Sequence, residues 1–463
     1  MVVNPLSSRA VALPHMLLDG VTPVAAFHAM RDLLSGPSFL LESAQGAGSL
    51  ARSSVIGLGV VAQLHASHDG VAGSVAGVPH QYSRDVVDAM REFTQNCRAV
   101  YSDAATLPYV GSYGIVPFAA VAFFEPRLAP LYPDATLQMI VPAVILVFDH
   151  ASHLAQLIML EHVPGLQAQI MAALRGAALA PLERSCAPRR ANRVITAERY
   201  PAMVVHAQRA IQEGEVFQVV LSQTWQAPVA GDLFDAYRRL RSINPSPYMY
   251  YLEVADEVVF GSSPEMLCKL DGSRIRLRPL AGTRPRPWES DEEADVEREL
   301  RDDPKERAEH VMLVDLGRND VGRVSRYGTV TVSELMAIER YSHVMHLVSE
   351  IQGTIAPDRD AFDLFAAAFP AGTVSGAPKI RALELIAQLE GRSRGIYGGS
   401  IARFGFDGSL DACIVLRSAQ ARSGVVKFSA GAGIVADSVA RREDDECQAK
   451  AAAVARALGV DAS

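Results

Sequence analysis

Residues 176–193 read GAALAPLERSCAPRRANR, a run of small residues, prolines and arginines without apolar periodicity. A stretch of that kind gives neither a strand nor a helix a face to bury, so the chain is expected to divide there. Length points the same way, because 463 residues exceed what one ordinary hydrophobic core covers. The boundary gives an N-terminal domain over residues 14–190 and a second domain over 196–458. Beyond it, helical patterns alternate with β-rich runs, which implies an α/β (α+β) chain with extensive sheets flanked by helices.

Several function classes are excluded at this level. Hydrophobic residues make up 49% and charged residues 21%, the balance of a soluble globular protein. A net charge of −8 with dispersed Lys and Arg is no footprint for a phosphate backbone, so nucleic acid is not an expected partner. The longest apolar run, Met139 to Phe148, is interrupted by Pro142 and reads as a buried strand; a membrane helix needs roughly twenty residues. The first residues lack the pattern of a secretory signal. Cys97, Cys186, Cys268, Cys413 and Cys447 are scattered and never spaced as CxxC, which suits a reducing cytoplasm better than a disulfide framework or a zinc site.

Most residues that suggest chemistry lie after residue 195. Val216 to Leu221, Val258 to Phe260, Ala412 to Leu416 and Val425 to Ser429 read as strands; Tyr200 to Gln212, Pro304 to Leu316 and Glu443 to Leu458 read as helices. Asp303-Pro304-Lys305-Glu306 is a strong helix start, with an acidic cap, proline at the first position and glutamate three residues after the cap. Glu309 follows Glu306 on the same side. Glu443 and Glu446 repeat the spacing on the last helix, with Lys450 one turn on. Singly, each pair reads more simply as a solvated helix face. Together, four carboxylates without a His or Cys cluster are hard oxygen ligands that suit Mg²⁺.

Three further segments stand out. In FPAGTVSGAPKIRA, residues 369–382, small residues and hydroxyls precede a helix and offer either an anion site or a tight structural turn, with Pro378 as an early helical residue. Gly431 and Gly433 in SAGAGIV follow the strand ending at Ser429 and allow close backbone approach. Arg417 in DACIVLRSAQ reads as part of a central buried strand, paired either with a ligand carboxylate or with Asp411. His346 lies on an amphipathic stretch and reads, taken alone, as a core histidine.

These segments, with FQVVLSQ at 217–223, NPSPYMYY at 244–251, SPE at 263–265, PLAGTRPR at 279–286 and KERAEHVMLVDLGRND from Lys305, resemble the chorismate-utilising enzymes. Within that family they resemble the large component of anthranilate synthase, densely over residues 196–458 and more thinly over 14–190. The resemblance implies that Glu306, Glu309, Glu443 and Glu446 surround Mg²⁺, some through water, and that the metal holds the ring carboxylate of chorismate. It implies that Tyr397, Arg417 and the backbone of Gly431, Ala432 and Gly433 grip the enolpyruvyl carboxylate. Thr283 and Thr373 would line the ring pocket, with Lys450 also at the substrate. Glu265 matches the general acid for the departing 4-hydroxyl, and His346 the histidine used in eliminating pyruvate.

Sister enzymes that add water carry a lysine where this chain has Gln218, and aminodeoxychorismate synthases carry a nucleophilic lysine where it has Ala281. Amination at C2 is what the resemblance leaves. The chain lacks a glutaminase-like cysteine motif, so a separate glutamine amidotransferase subunit, in a hetero-oligomer, is implied as the ammonia source. Glu42 and Ser43, with Asn244, Pro245, Ser246, Pro247, Tyr248 and Met249, resemble the two halves of a pocket for tryptophan as feedback inhibitor of tryptophan biosynthesis. A 2-amino-2-deoxyisochorismate synthase, a supplier of anthranilate for a secondary metabolite, and a tryptophan sensor without catalysis are the rival readings.

Overall fold

The computed structural model describes residues 10–18, 20–43, 53–182, 189–287, 290–340 and 344–462. Cys186 and part of the 176–193 stretch lie outside them. The other four cysteines are buried and unpaired.

Among the described residues two antiparallel sheets carry the fold, one of thirteen strands and one of twelve, and a short parallel pair ties Arg189–Arg190 to Val460–Asp461. Neither sheet belongs to one half of the sequence. In the larger, Ser38–Glu42 pairs with Tyr248–Val254. In the smaller, Gly111–Val116 pairs with Ser400–Gly405. Residues 14–190 and 196–458 thus interleave in both sheets and share one continuous apolar core. The sheets touch where Phe39 of the larger meets Tyr113 of the smaller, ring centroids 4.5 Å apart.

The chain repeatedly crosses from one sheet to the other without a turn of its own. The apolar run 139–148, expected as a single strand, is two: Thr136–Val141 in the smaller sheet and Val144–Asp149 in the larger. Pro142 has no N–H to give a ladder, so pairing stops there and the chain changes sheet. Glu257–Ser263 belongs to the larger sheet and Met266–Asp271 to the smaller, which leaves Pro264 and Glu265 as the crossing. The reverse crossing runs from Leu410–Ile414 to Ser418–Arg422 through Val415, Leu416 and Arg417. The two crossings bond to each other, Ile414 N donating to Glu265 O at 3.1 Å and Ser262 N to Arg417 O at 3.2 Å.

Helices pack against the sheets. Pro304–Gly322 starts as its sequence requires, with the Asp303 carboxylate accepting from Lys305 N and Glu306 N at 2.9 and 3.2 Å. The last helix, Ala440–Leu458, begins three residues before Glu443 and ends on Gly459 at φ +65°. No helix among the described residues is long and apolar enough to cross a membrane.

Candidate active site

Glu265 enters the site because it sits at a sheet crossing, where its side chain belongs to neither pleat. It is 5% exposed, and Leu280 N donates to Oε1 at 3.4 Å. Burial pushes its pKa up to about 8, against the opposing pull of Thr373, Leu280 N, Lys450 and Arg417. Thr373 lies close enough to lower that value, yet its hydroxyl makes no well-aligned hydrogen bond.

Arg417, expected in a central strand, is instead the half-buried bend of the reverse crossing, at φ +48°. A residue in that region cannot continue a ladder. Its Nη1 donates to Asn244 Oδ1 at 3.2 Å. Asp411, the alternative partner, is taken by Lys269 at 2.9 Å and by the Tyr248 hydroxyl at 3.1 Å.

His346 lies in the strand Val344–Thr354, which is buried on both faces from Met345 to Ser349 and so is not amphipathic. It pairs with Thr283 across a bulge at Gly282, φ +61°. The Thr283 side chain is outside the described residues. Burial, with Arg417 nearby, holds the imidazole down at about pKa 4, so the ring is neutral. Its Nδ1 faces the Gly282 carbonyl at 3.1 Å. A carbonyl only accepts, so Nδ1 carries the proton and Nε2 the lone pair.

The acidic pairs converge. Burial raises the Glu309 pKa, and Glu306 and Glu446 raise it further; burial likewise raises Glu443, and Glu446 adds to it. Glutamates of both helices therefore share one electrostatic environment. Individually they are held by other groups: Glu306 by Arg284 at 3.0 Å, Glu309 by Gln218 Nε2 at 2.8 Å, and Glu446 by Lys450 at 2.6 Å. Among the described residues no three His, Cys, Asp or Glu side chains cluster tightly enough to hold an ion unaided. The donor set still fits Mg²⁺, which takes one or two carboxylates and keeps several waters.

Gly431, Ala432 and Gly433 lie inside the strand Val425–Ile434, not after it, opposite Ser222, Leu221 and Val220 of the strand Gln218–Pro228. Side chains would fill the cradle there. A Cβ on Gly431 would stand 2.7 Å from the Tyr397 hydroxyl, and one on Gly433 would overlap the Gln218 amide. Lys450 donates to Gly431 O at 3.1 Å. The helix after FPAGTVSGAP starts at Lys379 with Pro378 as its cap residue, and Lys379 turns to Asp320 at 2.8 Å. Gly376, at φ +137°, instead pairs with Val219.

A second cavity, of about 330 Å³, opens where the sheets face each other. Glu42, Ser43, Pro247, Tyr248 and Met249 line it, together with Tyr109, Arg403 and Asp411. Asn244, Pro245 and Ser246 are not among its lining residues. Glu42 is already engaged by the Tyr237 hydroxyl at 2.6 Å and Arg241 at 3.1 Å. Sequence reasoning missed Asn244 as the partner of Arg417, and also Arg284 and Arg403. For Arg284 the signal was present in the cationic PLAGTRPR segment.

These geometries can be set beside known proteins. Residues 36–456 match the chorismate binding enzyme family, and the chain belongs to it. Its full-length relatives include anthranilate synthase component 1 of Thermus thermophilus, 41% identical with 96% of each chain covered. The protein of the same name from Streptomyces coelicolor is 41% identical over 95% of this chain and 87% of that one. Among solved structures, anthranilate synthase component I from Streptococcus pneumoniae is 28% identical and superposes with a TM-score of 0.75 over 96% of this chain and 99% of that one. The menaquinone-specific isochorismate synthase of Escherichia coli, at 20% identity, a TM-score of 0.74 and coverage of 97% and 94%, shares the fold.

Proposed function

We propose that this chain is the chorismate-converting component of an anthranilate synthase, a lyase that turns chorismate and ammonia into anthranilate and pyruvate with Mg²⁺. The observation that carries the reading is Gln218. Its Nε2 donates to Glu309, which leaves Oε1 buried and, among the described residues, without a hydrogen-bond donor. A buried acceptor of that kind calls for an N–H or O–H partner, and an amide cannot deprotonate water as a lysine would. Ammonia supplies both the missing donor and its own lone pair.

The residues then divide the work. As ammonia bonds to C2, the ring double bonds shift and the C4–O bond breaks; Glu265, protonated near neutrality, gives its proton so that the hydroxyl leaves as water, and the new C2 ammonium loses a proton to solvent to become the amine. Neutral His346, with its lone pair on Nε2, takes the C2 proton. The C3–O bond then breaks, the enolpyruvyl group gains a proton on its methylene and leaves as pyruvate, and the ring becomes aromatic. Arg417, Tyr397 and the glycine backbone hold the side-chain carboxylate. Glu309, Glu443 and Glu446, with Glu306 behind Arg284, would hold Mg²⁺, which when bound supplies positive charge for the ring carboxylate.

A glutamine amidotransferase subunit is the proposed ammonia source, as the relatives' designation as component 1 suggests. Tryptophan is the proposed ligand of the 330 Å³ cavity. Segment 244–249 supports this regulation because it touches both sites: Ser43 Oγ donates to Pro247 O at 2.8 Å beside the cavity, while Asn244 holds Arg417.

Incubation with chorismate, Mg²⁺ and an ammonium salt at alkaline pH tests the reading. Fluorescent anthranilate and pyruvate in equal amounts are expected. Accumulation of a non-fluorescent aminated product would assign the chain to 2-amino-2-deoxyisochorismate synthesis, and isochorismate would overturn amination altogether.

A further inference from the structure

Beneath the proposed substrate cradle lies an ion pair that none of the steps above uses. Glu390 and Arg394 sit one helical turn apart in sequence, with side chains 0% and 1% exposed, and Arg394 Nη2 meets Glu390 Oε1 at 2.6 Å. Two more of its N–H groups go to backbone carbonyls of the site's own framework. Nη1 donates to Val374 O and Nη2 to Val220 O, each at 2.7 Å. Glu390 accepts from Ser222 N at 2.8 Å and Ser222 Oγ at 3.0 Å. The guanidinium also lies 4.4 Å over the Phe118 ring and 5.9 Å from that of Tyr397.

Apart from the Phe118 ring, each contact lands on or next to a residue of the proposed substrate site. Val374 follows Thr373. Val220 and Ser222 are the ladder partners of Gly433 and Gly431. Tyr397 presents its hydroxyl to Gly431. A buried pair is weak evidence for stability, because apolar residues of the same volume often serve as well. One guanidinium that fixes three separate segments at once does what no apolar residue can, since its planar fork sets direction as well as distance.

We propose that Arg394, oriented by Glu390, is a positioning residue that sets the cradle for the substrate's side-chain carboxylate. The inference rests on the proposed reading of that cradle. Arg394→Lys keeps the charge and the contact with Glu390 but cannot reach both carbonyls. Glu390→Met with Arg394→Met removes the pair; Arg392, 3.9 Å from Glu390, loses that neighbour but keeps its hydrogen bonds to Ser222 and Ser393. In folded variants the chorismate KM is expected to rise at least about tenfold, the scale at which small misplacements act, while the ammonium KM and tryptophan affinity stay within about twofold. A purely structural pair would lower the melting temperature and leave that split absent.

Chorismate kinetics close to wild type in either folded variant would overturn the proposal, and so would failure of both to fold, which would make the pair a stability element. Calorimetric titration of wild type and variants with chorismate and Mg²⁺ reads the cradle directly. It therefore tests the positioning role even if the wild type makes a product other than anthranilate.

Discussion

Replacing Glu265 by glutamine separates its proton from its shape. Burial lifts this carboxyl from an ordinary 4.5 to about 8, so ionising it in place costs roughly 5 kcal/mol more than in water, at 1.36 kcal/mol per pKa step. The folded pKa lies above the unfolded one, so the linked stability is fully present below about 4.5 and is lost as pH rises through about 8. Denaturant titrations should therefore show wild type losing a few kcal/mol relative to Glu265→Gln between pH 6 and pH 9. On the proposed mechanism the same proton goes to the departing hydroxyl. Its removal should lower kcat by about 10²–10⁴-fold, the usual range for a positioned acid, or roughly 3–5 kcal/mol of barrier. With free ammonia held constant, anthranilate fluorescence should give a wild-type kcat that falls above about pH 8 and a variant kcat without that limb. A variant within fivefold of wild type, or one that keeps the alkaline limb, would refute the assignment.

Gly433→Ala should leave the fold intact but push the Gln218 amide aside, lowering kcat/KM by about 10–100-fold, read from steady-state kinetics beside a melting curve. Chelation by EDTA should abolish turnover, and Glu309→Gln should raise the Mg²⁺ needed to restore it by about 10–100-fold, measured as activity against free Mg²⁺. Asp411→Asn, in the 330 Å³ cavity, should weaken tryptophan inhibition by about tenfold, the loss of one charged contact, with chorismate KM unchanged; inhibition curves decide it.

How far the sequence could be read depended on whether a signal was local. The cap at Asp303 and the glutamates after it are local, and the helix begins where they place it. The sheet crossings are not. Leu416 and Arg417 continue an apolar run that looks like one strand, and only pairing with different sheets makes Arg417 a bend. Run 139–148 misleads for the same reason, although Pro142 marked the break. His346 looked amphipathic because alternate neighbours are polar, yet Ser349 is buried and bonded to His310 at 2.6 Å. Position of a residue at a change of sheet explains why Glu265 and Arg417, far apart in sequence, meet: the backbone bonds that lock the two crossings together are the ones that carry these side chains into one cleft.

Charge balance supports the proposed cation there. Arg284 engages Glu306 and Lys450 engages Glu446, whereas Glu309 has only the Gln218 amide within hydrogen-bond reach among the described groups, and both it and Glu443 are pushed upward by burial and by acidic neighbours. A chorismate carboxylate entering alone would add a like charge to a cleft that already strains to ionise its own acids. On the proposed reading, Mg²⁺ held by these glutamates would favour their ionised form and supply positive charge for that carboxylate. On that reading chorismate is expected to bind weakly until Mg²⁺ is present, and calorimetric titration with chorismate before and after addition of Mg²⁺ checks the order; equal affinity in both would refute it.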